Sequence, residues 1–600
     1  MKKLFSFFLL LPFVVTSCSN IPGTTSFVSN GNNFETIYDD SYFFLDNNYF
    51  HEEIALASLG TAMATIDNDS DYSKHGEYLT SLWEKEGFEN IYLNDIYKKK
   101  PTMDNIGLGF ASKKINDFNL IAIGVRGGSY EAEWASDFTL GISGDAKGYG
   151  NSCDILMSEL DNYITNNNIS GHTKIWISGY SRAAAVSNLA AGRILQSINN
   201  NTFAFNITTS LKDVYAYCFA TPLAVGSVSV EEASGDLYKP IHNIINFNDM
   251  FAMTLPHNVG FCRYGQNHYF PDRLTDIYFD YSERKKLVSD YHFMPNAHKY
   301  ADYRVDDWKF YDPGEEFSKE KVLPRESIHP SLGRFANQLI HELFSFTVTR
   351  ENYAEFFEES IRNTIGLFFG ANPDIDHVPM RSSDMLMELI FSYSFIQNLF
   401  MKVQQKDFYG FASDFEYLFY IIFDVTDKNY DYIKNLYDTL FYFLLFEAIP
   451  LSSKEDLMLQ LFSRDNLLQL TGTHATELIY SFVRTCDSRL SGKDACKYND
   501  GTYQILYIEN PTSISIYEHN LKKNVFTYKE GGKMESDTLA AEKFSDGSIK
   551  IYMPKNGSYE YRTKSSLVTL TYVDCYGVET LVKDSMPSEG IINYELYKYN

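Results

Sequence analysis

The residues best suited to chemistry form a short run in the first third of the chain, residues 175–185 (IWISGYSRAAA). An apolar run ends there, a serine follows at position 181, and an alanine-rich helical pattern begins at once. A strand that turns sharply into a helix exposes a serine as a nucleophile, and the N–H groups at the start of the helix stabilise negative charge on a nearby oxygen. Small residues at Gly179 and Ala183 let the strand and the helix approach closely. The pattern predicts a nucleophilic Ser181, with a simple helix cap as the alternative.

A nucleophilic serine needs a base and an acid that orients the base. Asp249 follows the apolar run 241–247 (IHNIINF), at a predicted strand end where α/β enzymes place such groups; a turn or a helix cap is the alternative. We favour His474 as the base because it lies in a predicted loop directly before a capped helix, and His268 comes second. A capping or surface role is the alternative for His474. The other candidates for the base beyond Asp249 are His257, His292, His298, His329, His341 and His377.

These residues need a scaffold that brings them to one edge of a sheet. Four short apolar runs lack strict alternation, which is typical of parallel strands buried on both faces. Helical spacing at 153–164 and 182–198 lies between them, and strand–helix alternation predicts an α/β fold with a mostly parallel sheet. The four runs are residues 120–125, 175–177, 214–219 and 241–247.

Several segments resemble motifs of the class 3 (fungal-type) lipases, and they follow one another in the same order. Residues 125–128 (VRGG), with Trp134 and Asp137 after them, resemble "FRGT…W…D". Residues 217–222 (YCFATP) resemble "FGxP", and residues 247–256 (FNDMFAMTLP) resemble "NxDxVxxLP". Together these motifs identify the chain as similar to a family of α/β-hydrolases.

Two further segments resemble a bacterial lipoprotein subgroup of this family. Residues 179–185 (GYSRAAA) match the subgroup's elbow, and residues 474–480 (HATELIY) resemble the "H-x-x-E-x-Y" stretch that carries the base, with the tyrosine one residue later. Residues 147–149 (KGY) lie where the wider family has "H-x-G-F" and lack its histidine. The chain also departs from the family in Gly128, which replaces Thr or Ser, and in Ala183, which replaces the second elbow glycine.

The resemblance implies a hydrolase that cleaves carboxylic esters through an acyl-enzyme. Because the sequence has no P-loop and no GxGxxG motif after a strand, we expect no cofactor, and we expect no metal ion either. It makes Ser181 the nucleophile, Asp249 the acid and His474 the base, and it assigns the oxyanion hole to the backbone N–H groups of Gly128 and Arg182. The implied substrates are acylglycerols, phospholipids or other acyl esters. Two other functions stay open: an inactive hydrolase fold used for binding or adhesion, and a lipoprotein that binds apolar ligands.

The pattern along the chain also predicts its domain organisation. From about residue 300 it becomes helical and rich in aromatic residues, which we interpret as an insertion between acid and base. Ordinary core packing is the first interpretation of its apolar stripes, and a lid or an acyl pocket formed by the apolar stretch 436–451 is the alternative. Beyond about residue 500 the period is two, and Asp546-Gly547 and Asn556-Gly557 are hairpin signals. The predicted segments are a signal peptide (1–18), a polar spacer (19–48), an α/β-hydrolase core (49–300 and 469–495), a helical insertion (301–468) and a small antiparallel β domain (500–600).

The first residues are typical of an export signal. Lys2 and Lys3 precede an apolar stretch at 4–15 that is too short to span a bilayer. Residues 15–18 (VTSC) resemble a bacterial lipobox. We therefore expect lipidation of Cys18 and an exported protein tethered to the membrane at the cell surface, with an ordinary cleaved signal peptide as the alternative.

Charge and cysteine content narrow the classes of function and partner. Lys and Arg total 52 and Asp and Glu total 78, so the net charge is −26. Such a charge disfavours nucleic acid as a partner. Apolar residues make up 44% of the chain, enough for a large core. The seven cysteines lack zinc spacing; Cys486 and Cys496 are close enough in sequence to pair after export, but a disulfide scaffold is not expected.

Overall fold

The computed structural model describes most of the chain before residue 270, parts of the helical region and most of the last hundred residues. The predicted lipidation site Cys18 and the predicted oxyanion residue Gly128 lie outside the described residues. The described residues are 23–69, 71–102, 105–127, 131–246, 249, 251–253, 259–270, 322–323, 349–356, 358–359, 362, 398, 401–402, 405, 407–422, 430–442, 474–487, 489, 503–532, 534–536, 539–544, 546–554, 557–565, 567–573 and 579–593.

A β-hairpin begins the described chain. It consists of β1 (Thr24–Ser29) and β2 (Asn32–Ile37). Asn30 and Gly31 between them both have positive φ, as a two-residue type I′ turn requires. Alternate apolar residues such as Phe34 and Ile37 are buried, which gives the hairpin a core-facing side. The prediction of a polar spacer over residues 19–48 is therefore wrong where the hairpin forms.

A central sheet forms the core of the described chain. Its strands are β3 (Glu89–Leu93), β4 (Leu108–Ile115), β5 (Phe118–Val125), β6 (Thr173–Tyr180), β7 (Val214–Phe219), β8 (Ile241–Asn246) and β9 (Gln266–Phe270). They lie side by side in chain order. β3, β4 and β5 pair antiparallel, and β5 to β9 pair parallel. The predicted mostly parallel sheet is confirmed in β5 to β8, whereas the sequence patterns did not indicate β3, β4 or β9.

Helices cover both faces of this sheet. The helices are α1 (Glu52–Ala64), α2 (Glu77–Lys85), α3 (Lys147–Asn166), α4 (Arg182–Asn199) and the short α5 (Val230–Ala233). α3 and α4 share one apolar cluster with Ile175 and Ile177. α1 and α2 share another with Trp176 and Tyr217. Burial on both faces explains why the strands show apolar runs instead of alternation.

Two sheets of mostly antiparallel strands contain the end of the chain. One has the order β10, β15, β16, β11, β18, β19, and the other β14, β13, β12, β17, β20, where the strands are β10 (Val322–Leu323), β11 (Tyr503–Glu509), β12 (Ser513–Glu518), β13 (Lys523–Lys529), β14 (Glu535–Ser536), β15 (Ala540–Phe544), β16 (Ile549–Pro554), β17 (Ser558–Lys564), β18 (Leu567–Val573), β19 (Glu579–Lys583) and β20 (Glu589–Asn593). Gly547 turns with φ +86° between β15 and β16. The turn predicted at 556–557 joins no hairpin, because β16 and β17 belong to different sheets.

These terminal sheets pack against the edge of the central sheet that lies nearest Asp249. One apolar cluster contains Leu506 and Ile551 of the terminal strands together with Ile245 on β8, Tyr269 on β9 and Ala252, which lies between β8 and β9 in sequence. The cluster is continuous, so the terminal strands share a buried core with the residues that follow β8.

The described helices between the two parts contact the central sheet's own helical layer. They are α6 (Arg350–Phe356), α7 (Phe408–Ile422) and α8 (Tyr430–Tyr442), followed by α9 (Thr476–Cys486). Tyr353, Ile433 and Tyr437 are buried in the cluster that contains α4. The Arg350 guanidinium donates to the carbonyls of Leu140 and Gly141. The lid or acyl pocket stays a prediction, since residues 443–473 lie outside the described chain.

Two further observations concern the membrane and the cysteines. None of the described helices is long and apolar enough to cross a membrane. Cys153, Cys218 and Cys262 are buried free thiols. Cys496 lies outside the described residues, so its pairing with Cys486 stays a prediction.

Candidate active site

Ser181 lies at the sharp turn between β6 and α4. Its backbone has φ +58° and ψ −126°, a conformation that costs an L-residue energy and persists only where the surroundings enforce it. Its N–H donates to the carbonyl of Phe219 at the end of β7 (2.8 Å), and its own carbonyl accepts from the N–H of Ala184 (2.9 Å). Hydrogen bonds to the neighbouring strand and within the helix therefore hold the serine in this strained conformation.

Small residues make the turn possible. A Cβ added at Gly179 would lie 2.5 Å from the carbonyl oxygen of Ala183. A Cβ added at Gly127, two residues after the end of β5, would lie 2.5 Å from the carbonyl oxygen of Tyr180 and 2.9 Å from the Ala183 Cβ. Both positions therefore exclude larger residues, as the sequence predicted for Gly179.

One imidazole connects the predicted nucleophile and acid. The Nε2 atom of His474 lies 2.7 Å from Ser181 Oγ, and its Nδ1 atom lies 2.6 Å from Asp249 Oδ2. In the sequence, His474 is 225 positions from Asp249 and 293 positions from Ser181. The structure thus brings together Ser181, His474 and Asp249 in the order of a nucleophile, a base and an orienting acid.

The carboxylate of Asp249 is fixed by the backbone around it. The side chain is fully buried. Its Oδ1 atom accepts hydrogen bonds from the N–H groups of Phe251 (2.9 Å) and Ala252 (3.4 Å), which leaves Oδ2 to the imidazole. The carboxylate is therefore oriented before any substrate arrives.

Aromatic rings flank the His474 imidazole, which is 15% exposed. The Tyr180 ring lies 5.2 Å away and the Phe251 ring 5.0 Å away, measured between centroids. Burial, together with the nearby Asp249 and Glu477 carboxylates, raises the pKa of Tyr180 well above its usual value, so the phenol stays neutral beside the imidazole. The two rings restrict the orientations open to His474.

The helix that follows His474 is attached to the N-terminal hairpin. The Tyr480 hydroxyl on α9 donates to the Glu35 carbonyl (2.6 Å) and accepts from the Glu35 N–H (3.1 Å). Arg484, one turn further, donates to the same hydroxyl (3.0 Å), and the Phe34 ring packs edge-on against Tyr480. The hairpin therefore helps to position the loop that carries the imidazole.

His268, the second candidate for the base, lies in a different cluster. It is on β9, where its Nε2 atom lies 3.1 Å from Nδ1 of the buried His242. Its ring packs on Phe50 with 4.4 Å between centroids, and burial lowers its pKa to about 4. Of the other histidines considered, His257, His292, His298, His329, His341 and His377 lie outside the described residues.

This buried histidine pair predicts acid sensitivity. Burial, and the nearby His268, also lower the pKa of His242. Both imidazoles are therefore neutral in the folded chain at pH values where the unfolded chain, with a pKa near 6.5, already binds protons. We expect the free energy of unfolding to fall as the pH drops from about 6.5 to about 4, with His268 alone contributing about 3 kcal/mol.

Urea denaturation across this pH range measures the effect. His268→Gln, which gains no proton, is expected to flatten the dependence, and an equally steep dependence in that variant would assign the loss to other groups.

The residue after the nucleophile is held by a buried charge cluster that the sequence patterns did not indicate. The Arg182 guanidinium lies 3.5 Å from Glu133 Oε2 and 3.1 Å from Asp137 Oδ1. Arg126, near the end of β5, also contacts Glu133. Glu133 and Asp137 belong to a short 3-10 helix, Glu131–Phe138. Arg126, Asp137 and Arg182 had a signal in the sequence through their motifs, whereas Glu133 had none.

The glycine of the predicted "H-x-G-F" counterpart also has a packing role. A Cβ added at Gly148, at the start of α3, would lie 1.7 Å from the carbonyl oxygen of Ser136. The close contact places α3 directly against the 3-10 helix. Among the described residues, no group of three or more His, Cys, Asp or Glu side chains is arranged to hold a metal ion.

Comparison with known proteins yields partial structural similarity only. No protein-family profile and no curated protein matches the chain. Similar solved structures include a triacylglycerol lipase described as having a serine-protease triad as its catalytic centre (18% identical, covering 38% of this chain and 83% of that one, TM-score 0.27). The Rhizomucor miehei lipase in its propeptide complex is 16% identical, covering 37% of this chain and 70% of that one, with a TM-score of 0.27. Lipase II from Rhizopus niveus is 12% identical, covering 36% of this chain and 80% of that one, with a TM-score of 0.25.

Proposed function

We propose that the protein is a serine hydrolase that cleaves carboxylic esters through an acyl-enzyme. The single observation that carries this proposal is the position of the His474 imidazole, 2.7 Å from Ser181 Oγ and 2.6 Å from Asp249 Oδ2. A serine that only capped a helix would need neither contact. A buried carboxylate with one oxygen directed to an imidazole is the arrangement that general-base activation of a hydroxyl requires.

The chemistry follows from these atoms. His474 Nε2 takes the proton of Ser181 as Oγ attacks the ester carbonyl carbon, and Asp249 stabilises the resulting imidazolium. The protonated imidazole then gives its proton to the leaving alkoxide, which completes the acyl-enzyme. Water activated by the same imidazole hydrolyses that ester and regenerates the serine.

The developing oxyanion needs N–H donors beside Ser181. Arg182 is the first residue of α4, so its N–H belongs to the helix-terminal groups that have no partner within the helix. The positive end of the helix dipole acts at the same place. We propose this N–H as one donor; Gly128 stays the second candidate on sequence grounds.

Apolar side chains near the base favour an acyl substrate. The half-buried Phe251 ring lies 5.0 Å from His474, and the half-buried Trp134 ring lies 6.3 Å from Phe251. We therefore propose acylglycerols, phospholipids or other acyl esters as the substrate class.

We also propose that Cys18 is lipidated and that the enzyme acts at the cell surface. A detergent phase-separation experiment tests this tether. Recovery of the exported protein in the aqueous phase, and not in the detergent phase, would contradict it.

A fluorophosphonate probe tests the proposed function. We expect wild-type protein to react once per chain, with the added mass on the peptide that contains Ser181, and to hydrolyse p-nitrophenyl acyl esters. Labelling on a different serine, or none on folded protein, would contradict the proposal and favour an inactive hydrolase fold that binds its ligand.

A further inference from the structure

Four ionisable side chains are buried together beside the first turn of α4. Arg126, Glu133 and Arg182 are 0%, 2% and 4% exposed, and Asp137 is 15% exposed. Burial of ionisable groups is a poor source of stability, because desolvation offsets much of the attraction between opposite charges; here burial raises the pKa of Asp137 to about 8. Packed apolar residues would fill the same volume at lower cost. The cluster therefore calls for a role that depends on its geometry.

The two oxygens of Glu133 contact arginines from different elements. Oε1 contacts Nη2 of Arg126, which directly precedes the close-packed Gly127. Oε2 lies 3.5 Å from Nη1 of Arg182, which directly follows Ser181. A single carboxylate thus ties the segment after β5 to the start of α4.

Each arginine is fixed by further hydrogen bonds. Arg126 donates to the carbonyls of Ile96 and Tyr97, both at 3.2 Å. Arg182 donates through Nε to Ser136 Oγ (3.0 Å) and through Nη2 to Ser152 Oγ (2.9 Å). The guanidinium of Arg182 is therefore anchored on several sides, which restrains rotation of the peptide group between it and Ser181.

We infer that Glu133 is a positioning residue that fixes the backbone N–H of Arg182 against the developing oxyanion. It acts through the two arginines and does not itself contact the reacting atoms. The inference rests on the proposed function, because it assigns Arg182 N–H to oxyanion stabilisation. An oxyanion donor is effective only when it is already placed where charge develops in the transition state, and Glu133 supplies that placement.

The test compares Glu133→Asp with wild type. Aspartate keeps the buried negative charge but is one methylene shorter, so it cannot contact both guanidinium groups. Loss of a whole oxyanion donor lowers kcat by about 10²- to 10³-fold; for a displaced donor we expect a loss of about 10- to 100-fold with KM changed less than about twofold.

An aryl trifluoromethyl ketone gives a readout that a purely structural role would not move. Ser181 Oγ adds to its carbonyl carbon, the Oγ proton passes to His474, and the carbonyl oxygen becomes an oxyanion. We expect the inhibition constant in Glu133→Asp to rise by the same factor by which kcat falls.

Asp213→Asn is the matched control. Asp213 is also buried and paired, with Lys174 (3.6 Å) and His172 (3.0 Å). It precedes β7, at the amino ends of the parallel strands, whereas Ser181 follows β6 at their carboxyl ends. This variant should melt at a lower temperature with kcat and the inhibition constant unchanged.

Unchanged kcat and inhibition constant in folded Glu133→Asp would overturn the inference. If that variant does not fold, Ser152→Ala decides, since it removes one anchor of Arg182 and should lower kcat and weaken inhibition by about two- to fivefold; no change in either would equally overturn it. Wild-type protein that neither hydrolyses esters nor binds the ketone would instead show that the proposed function itself is wrong.

Discussion

Ser181→Ala is expected to lower ester turnover by on the order of 10⁴-fold or more, while the protein stays folded. The substitution removes only the hydroxyl group. Both backbone hydrogen bonds that hold residue 181 remain available, because its N–H still donates to the Phe219 carbonyl and its carbonyl still accepts from the Ala184 N–H. With no Oγ to form the acyl-enzyme, only a direct attack by water is left. The residual rate then reflects binding and oxyanion stabilisation alone.

Steady-state hydrolysis of a p-nitrophenyl acyl ester measures the effect. Ser197→Ala is the matched control: Ser197 lies on the same helix, near its far end, and its hydroxyl donates to the Ile194 carbonyl (2.8 Å). We expect that variant to retain wild-type turnover and probe labelling. Retention of more than a few per cent of activity in Ser181→Ala would contradict the proposed nucleophile.

The nucleophile and the four parallel strands β5 to β8 could be predicted from sequence because their signals are local. The end of β6, the turn and the start of α4 occupy one unbroken stretch, and each strand from β5 to β8 is a short apolar run. Asp249 follows its strand by three residues. Patterns of this range depend on the backbone geometry of one strand–turn–helix unit, which a few adjacent residue types determine.

The sequence favoured His474 as the base but could not exclude His268. His474 is 293 residues from Ser181, and its position depends on α9 packing against α1 and on the contact between Tyr480 and Glu35. His268 follows the acid more closely in sequence, yet β9 places it beside His242. Choosing between the two needs tertiary packing that no local pattern contains.

Two other features were missed for different physical reasons. The hairpin of β1 and β2 had a local signal, Asn30-Gly31 between alternating apolar residues, which the polar composition around it obscured. Glu133 had none. A carboxylate that bridges Arg126 and Arg182 is recognisable only once both arginines are known to be buried in the same cluster.

His474→Ala is expected to lower turnover by about 10³- to 10⁴-fold. The general base contributes on the order of 10²- to 10⁴-fold, and its loss also leaves the fully buried Asp249 carboxylate without the partner at Oδ2. Probe labelling of Ser181 should slow in parallel, because both reactions need the Oγ proton removed. Added imidazole is expected to restore part of the rate, since the substitution leaves space between the Tyr180 and Phe251 rings.

His268→Ala is the matched comparison, at neutral pH and on folded protein. It removes an imidazole of the same size from β9, so it should lower the melting temperature and leave turnover within about threefold, because Ser181 keeps its partner. The opposite result, with His268→Ala inactive and His474→Ala active, would identify a different base. In that case the contact of His474 with Asp249 would be structural, and the catalytic arrangement would have to be rebuilt around β9.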